Sequence, residues 1–592
     1  MASEGRPGDF RDTSDTFRGL IAAAWHVAET APDASAAKLR ADAFEKAQWV
    51  TGARTGAAVS RMSARLAAGG GRLGELVRER QDLAEQAAAT DRALIALLAQ
   101  PTEQCAPAGQ AELRERANAI ARRIKDIDAA LNVQFPDYAA LTSAAPLPLA
   151  DTTGLLGANE ALLLFVPTKD DIYLWAVTRS TQRWVKIPLG AAQLSEHVAA
   201  LRCGLDRDGA WIGTGVQRCT GLLRAITVAN VEADKPFDVM RAHELYRALF
   251  GQIEDLVKGK HLLVVAAGPL TSIPLHVLVA SPPAGERAGR TVDYRAVDWM
   301  ARRNAISVLP SVASLKALRS LAQKSRAAEP FVGFGNPLLS GPGGSDRRAW
   351  ARQGCEQSAP RDARIAARAP APPAQRTARA NVDVLRRQPP LVETADELCN
   401  VARLLGAPVS AVHLGESATE RAIKTLSASG ELARKRYLHF ATHGLLANES
   451  EDVAQAAAEP ALLLTPPQRA SEEDDGLLTA SEVAQLKLDA DWVIMSACNT
   501  AAGDKLDAEA LSGLARAFFY AGSRALLVSH WYVDSEATVK LITHTFTAMS
   551  AAPGATRAEA LRRAMLALID EGGRMADPAI WAPFVVVGEG GS

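Results

Sequence analysis

Long apolar runs, net charge and a cysteine framework are all missing from this sequence. None of the 592 residues falls in a stretch approaching the roughly 18 uninterrupted apolar positions that a membrane-crossing helix needs, which excludes a helical membrane span. Lys plus Arg (66) and Asp plus Glu (67) cancel to a formal net charge of -1, so no global field draws the chain to nucleic acid or to an anionic membrane surface. The six cysteines stand far apart, at positions 105, 203, 219, 355, 399 and 498, with no CxxC pair and no metal-ligand spacing. Neither a disulfide scaffold nor a metal site is expected. The opening residues MASEGRPGDFRDTSDTF are polar and acidic where a signal peptide carries a basic start and an apolar run, so the expected location is the cytoplasm.

What is present divides into blocks. Residues 1–15 are expected to be disordered. Residues 16–150 are rich in Ala, Leu, Arg and Glu with apolar positions at helical spacing, as in GELVRERQDLAEQAAATDRALIALLAQ, and are punctuated by Pro32, Gly69 to Gly71 and Pro101. They predict antiparallel helices, degenerate tetratricopeptide-like or coiled, without a visible 34-residue repeat. This region reads as an adaptor or dimerising segment. From residue 155 to 338 short β-type runs (ALLLFVP, DIYLWAVT, RWVKIPLG) give way to strands alternating with helices, the pattern of a mostly parallel sheet covered on both faces. Residues 339–390, a Gly, Pro, Ala and Arg mixture, hold too few bulky apolar residues to offset their ordering entropy and predict a disordered basic insertion. Regular alternation resumes over residues 391–590. The expected fold is α/β, a doubly wound, mostly parallel sheet sandwiched by helices and preceded by an all-α region.

In such sheets reactive groups collect beyond the carboxyl ends of the strands. Two strand ends carry suitable chemistry: RYLHFATHG, ending on Thr442, His443 and Gly444, and DWVIMSACNT, with Cys498 and Asn499. An imidazole facing a thiol serves as general base and acid for attack on an acyl carbon. Backbone N–H groups of Gly444 and Cys498, left accessible by small neighbours, would hold the oxyanion. Taken alone, Cys498 fits a buried small hydrophobe equally well. His439 and His443 stand four apart, but on a strand that is about 13 Å, too far for a shared metal, so His439 belongs to the sheet interior. FVGFGNPLL lacks the third glycine of a dinucleotide fingerprint, and Ser272 and His276 in GPLTSIPLHVL lack a GxSxG context.

The segments YLHFATHG, VIMSACNTAAGD, ALSGLARAFFYAGSRALLVSHWYVDSEAT, HLLVVAAGPLTSIPLHVL and NAISVLPS closely resemble the CHAT domain, a bacterial relative of caspases and separase, from about residue 159 to 588. The resemblance implies a caspase-like fold. Residues 155–338 would be a pseudo-peptidase half and residues 391–590 the half carrying a His443 and Cys498 dyad. It implies a cysteine endopeptidase acting on a protein, without metal or organic cofactor. Such an enzyme is idle until a partner or ligand acts through attached modules such as the N-terminal helices, in bacterial defence or cell-death pathways; an oligomer is compatible with it. The sequence departs from the family at Asn499, where an acidic residue is usual, and at Ala508-Glu509-Ala510, where Gly-Glu-Gly is usual. That departure supports the rival reading, a catalytically silent scaffold that binds partners. Asp507, Glu509 and Asp534, with Glu536, are candidates for selecting a basic side chain at the cleavage point. Asp534, directly before SEATVKLI, is also well placed as a helix cap.

Overall fold

The computed structural model describes residues 9–51, 107–134, 146–223, 231–282, 292–321, 325–340, 347–355, 382–445, 459–471, 473–497, 513–552 and 554–590, with a few helical positions between 76 and 90. Its strands are β1 (Glu160–Pro167), β2 (Ile172–Thr178), β3 (Gln182–Ile187), β4 (His261–Val265), β5 (Ile306–Val308), β6 (Glu329–Gly335), β7 (Val412–Leu414), β8 (Lys435–Ala441), β9 (His443–Leu445), β10 (Ala461–Leu463), β11 (Leu477–Thr479), β12 (Trp492–Met495), β13 (Ala525–Ser529) and β14 (Phe584–Gly588). Eleven form one sheet in the order β3-β2-β1-β4-β5-β14-β13-β12-β8-β6-β7, and β9, β10 and β11 form a small separate one.

Nine strands of the large sheet form two parallel runs placed back to back, and β2 and β3 extend it at one edge as antiparallel strands. β1, β4, β5 and β14 run one way, β13, β12, β8, β6 and β7 the other, and the runs meet at the antiparallel β13–β14 pair. Alternate residues of each strand feed different cores, as a period of two requires. Leu262, Val264, Trp492 and Ile494 pack beneath helices Ala191–Leu205, Val239–Phe250, Glu393–Leu404, Ser535–Ala551 and Arg557–Glu571. Leu263, Val265, Val493 and Met495 face the opposite layer, which includes helices Asp33–Thr51 and Gly513–Ala521. The strands read as near-continuous apolar runs because both faces are covered.

Several expectations need correction. Helix Asp9–Ala28 begins inside the segment expected to be disordered. Helices Asp9–Ala28 and Asp33–Thr51 cover the sheet. Trp25 packs edge-on to Trp184 and Phe44 edge-on to Trp175, and the Gln48 side chain bonds both ways with the Leu147 backbone at 2.8 Å. The ends of the 339–390 insertion are folded as well. Helices Arg347–Trp350 and Val382–Leu385 bury Ala349 and Leu385, apolar residues enough to anchor these ends; residues 341–346 and 356–381 lie outside the described residues. Finally, four of the scattered cysteines pair, Cys203 with Cys219 and Cys355 with Cys399. Their separations of 16 and 44 residues follow no local motif, so only folding brings them together. Disulfides persist in oxidising surroundings, which removes one ground for expecting a cytoplasmic location. Among the described residues no helix is long and apolar enough to cross a membrane.

Candidate active site

β8 and β12 are adjacent and parallel, with Ile494 level with His439 and Met495 level with Phe440. The pairing runs one step further, where Ser496 N–H donates to Phe440 O at 3.1 Å. Beyond it the two backbones take different courses. On the β8 side the Thr442 hydroxyl donates to Leu463 O of β10, turning the chain into β9. β9 and β10 then pair with His443 opposite Leu463 and Gly444 opposite Leu462. On the β12 side Ser529 Oγ, from β13, donates to Ala497 O at 2.5 Å.

His443 is half-buried, and its Nε2 lies 2.7 Å from the carbonyl oxygen of Pro389. A carbonyl only accepts, so Nε2 carries the hydrogen and Nδ1 is the basic nitrogen of the neutral ring. Pro389 leads directly into helix Glu393–Leu404, and that helix is fixed from several sides. Thr394 Oγ1 accepts from Asn336 N–H at 2.8 Å, the buried Arg352 pairs with Asp396, and Cys399 is bonded to Cys355. Asn336, held at φ 48°, donates through Nδ2 to Ala349 O and Arg352 O, which closes the same corner.

Beneath this corner His439 is fully buried, with Nε2 3.0 Å from Ser496 Oγ and 2.7 Å from Glu397 Oε1. Its place is therefore inside the sheet, and among the described residues no group of three His, Cys, Asp or Glu is arranged to hold a metal ion. Asp534 caps helix Ser535–Ala551 by accepting from Ala537 N–H at 2.9 Å and pairs with Arg574 at 2.6 Å. Cys498, Asn499, Asp507 and Glu509 lie outside the described residues. His276 is buried with neither ring nitrogen hydrogen-bonded, and desolvation lowers its pKa to about 3; His530, buried beside it, is lowered to about 3 for the same reason.

Reading residue types at strand ends singled out His443 and Gly444, which the structure places on β9. It missed Pro389, which acts through its backbone, and Glu397 and Ser496, whose side chains meet His439 only after folding.

The family model for the CHAT domain matches residues 240–589, more than half of the chain. The chain belongs to the CHAT domain family. The match begins in helix Val239–Phe250, so this CHAT chain also carries the helices and β1 to β3 ahead of it. Among solved structures, the Saccharomyces cerevisiae separase-securin complex aligns at 10% identity over 98% of this chain and 40% of that chain, with TM-score 0.38. The Arg specific cysteine proteinase gingipain R aligns at 10% identity over 60% of this chain and 68% of that one, with TM-score 0.30. No curated protein matches the CHAT chain.

Proposed function

We propose that this CHAT protein is a cysteine endopeptidase in which His443 and Cys498 form the dyad. The observation that carries the proposal is register. Phe440 and Met495 are level on neighbouring parallel strands, and His443 and Cys498 each stand three residues further along their chains. The Nε2 bond to Pro389 O leaves Nδ1 as the proton acceptor.

In the proposed reaction Nδ1 of His443 takes the thiol proton as Cys498 sulfur adds to the peptide carbonyl. The oxyanion is held by the backbone N–H groups of Gly444 and Cys498. Collapse expels the amine, which takes its proton from His443, and leaves a thioester; His443 then deprotonates a water that hydrolyses the thioester and restores the thiol. The substrate is a protein. A partner or ligand engages the N-terminal helices, which pack against β1 to β3; β1 lies five strand positions from β12, about 24 Å at sheet spacing. Activation would therefore travel through the sheet. A bacterial defence or cell-death pathway is the setting the family resemblance implies. Preference for a basic residue would rest on Asp507 and Glu509, since Asp534 is committed to its cap and to Arg574.

The second reading, a silent scaffold, rests on Asn499 and Ala508-Glu509-Ala510 in place of the family's usual residues. A peptide acyloxymethyl ketone separates the two. The peptidase reading expects covalent labelling of Cys498 that His443→Ala suppresses. No labelling under any activating condition would leave the scaffold.

A further inference from the structure

Segment 347–355 is tied to helix Glu393–Leu404 at three places. Arg348 pairs with Glu393 at 3.5 Å, Arg352 pairs with Asp396, and Cys355 is bonded to Cys399. The helix partners stand at three-residue steps, so each lies close to the next on the helix surface. The ties are unequal. The side chains of Glu393 and Asp396 are 39% and 51% exposed, and ion pairs this open to water shift a folding equilibrium by only about fivefold or less. A disulfide joining residues 44 apart shifts it by on the order of 100-fold. The covalent tie dominates.

What it holds is the lead-in to the helix. Leu391 O accepts from the Thr394 N–H at 3.2 Å and the Thr394 hydroxyl at 2.6 Å, and two residues earlier Pro389 O accepts from His443 Nε2 at 2.7 Å. On the other side the buried Leu385 anchors helix Val382–Leu385, so loss of the disulfide would loosen Pro389 without releasing it.

The two disulfides differ in access. Cys203 and Cys219 are 2% and 1% exposed, packed with Trp211 and Leu223. In the other pair Cys399 is buried but Cys355 is only half-buried. Thiol–disulfide exchange needs a thiolate to reach one sulfur, so access decides which bond opens first.

We propose that Cys355–Cys399 is a redox modification site that governs His443, with a dithiol as its co-reactant. One dithiol sulfur attacks Cys355 Sγ and expels Cys399 as the thiolate. The second attacks the resulting mixed disulfide and expels Cys355. Two electrons pass to the cysteine pair, two protons follow, and the dithiol leaves as a disulfide. The helix then keeps its two exposed ion pairs to segment 347–355, Pro389 O loosens its hold on Nε2, and the ring loses its fixed tautomer. The purpose of this control rests on the peptidase reading; the exchange chemistry does not.

The test uses the full chain, purified under oxidising conditions, with dithiothreitol as the dithiol. After graded exposure of the folded protein, iodoacetamide traps the freed thiols and peptide mass assigns them. In parallel, diethyl pyrocarbonate reads the rate at which His443 is modified. Cys355 and Cys399 are expected to open at least about tenfold faster than Cys203 and Cys219. Their opening is expected to raise the His443 rate by about fivefold, the weight of one hydrogen bond. Cys399→Ser and Cys355→Ala should each show the raised rate without dithiothreitol, and Cys219→Ser should keep the rate of the oxidised chain. The wild-type measurement stands whether or not a variant folds. Opening of all four cysteines together overturns the inference, as does a His443 rate that stays constant while Cys355 and Cys399 open, or a pair that remains as thiols after oxidising purification. Where a cleavable substrate is in hand, Cys399→Ser is expected to lose kcat with KM held. A loosened His443 in a chain that cleaves nothing keeps the inference and removes the peptidase reading; cleavage by Cys399→Ser at the full wild-type kcat does the reverse.

Discussion

The carbonyl oxygen of Pro389 lies 2.7 Å from Nε2 of His443, although 54 residues separate the two in sequence. This contact fixes one tautomer of the ring through a backbone carbonyl, and it makes the imidazole depend on the segment leading into helix Glu393–Leu404. His443→Ala is expected to lower cleavage by about 100-fold or more, the usual contribution of a general base. His443→Gln, which keeps a donor for Pro389 O but has no basic nitrogen, is expected to be equally inactive while matching wild-type stability. Turnover by the glutamine variant at near wild-type rate would remove His443 from the chemistry.

The two disulfides make a countable prediction. With Cys203, Cys219, Cys355 and Cys399 paired, at most Cys105 and Cys498 remain as thiols, so the denatured, unreduced chain should titrate no more than two. Cys399→Ser is expected to cost about 2–4 kcal/mol of stability, because the Cys355–Cys399 bond closes a long loop in the unfolded chain. Four or more thiols in protein purified under oxidising conditions would contradict the pairing.

His276 and His530 predict acid sensitivity. Burial lowers both pKa values from 6.5 to about 3, so the unfolded chain binds these protons in a range where the folded chain does not. Their contribution to stability is fully present above pH 6.5 and is lost as pH falls from there toward 3. Melting temperature should therefore drop across that window, and His530→Gln should flatten the drop. A cavity of about 30 Å³ borders both rings, room for about one water. An equal drop in wild type and His530→Gln would assign the acid sensitivity elsewhere.

Glu420 predicts the opposite slope. Desolvation raises its pKa to about 7 from 4.5, against the pull of Lys424. The folded chain then holds a proton that the unfolded chain releases, so this contribution is fully present below pH 4.5 and declines as pH rises through about 7. Relative to Glu420→Gln, the wild type should lose stability between pH 5 and 8 by on the order of 1–2 kcal/mol. A constant difference across that range would show that Glu420 stays ionised.

Asp534 separates capping from substrate selection. Asp534→Ala should cost about 1 kcal/mol through the lost bond to Ala537 N–H and leave the preferred cleavage residue unchanged. Asp534→Asn, which keeps a capping oxygen, should recover most of the loss. A changed preference in Asp534→Asn would return this residue to the substrate pocket.

The α/β class and the strand runs at 437–441, 492–495, 525–529 and 584–588 were legible in the chain itself, as was the place of His443 directly after a strand run. Buried strands advertise themselves as short apolar runs, and reactive residues at their ends follow from the geometry of a parallel sheet. Folding decided what depends on distant neighbours. β6 precedes the insertion yet lies between β8 and β7, and β14 ends the chain yet sits at the centre of the sheet, joining the two parallel runs. The cysteine pairs, the Pro389 carbonyl beneath His443 and the meeting of Glu397, His439 and Ser496 belong to the same category. Apolar patterning records that a residue is buried, whereas its partner is set by which strands become neighbours, and strand order leaves no trace in local composition.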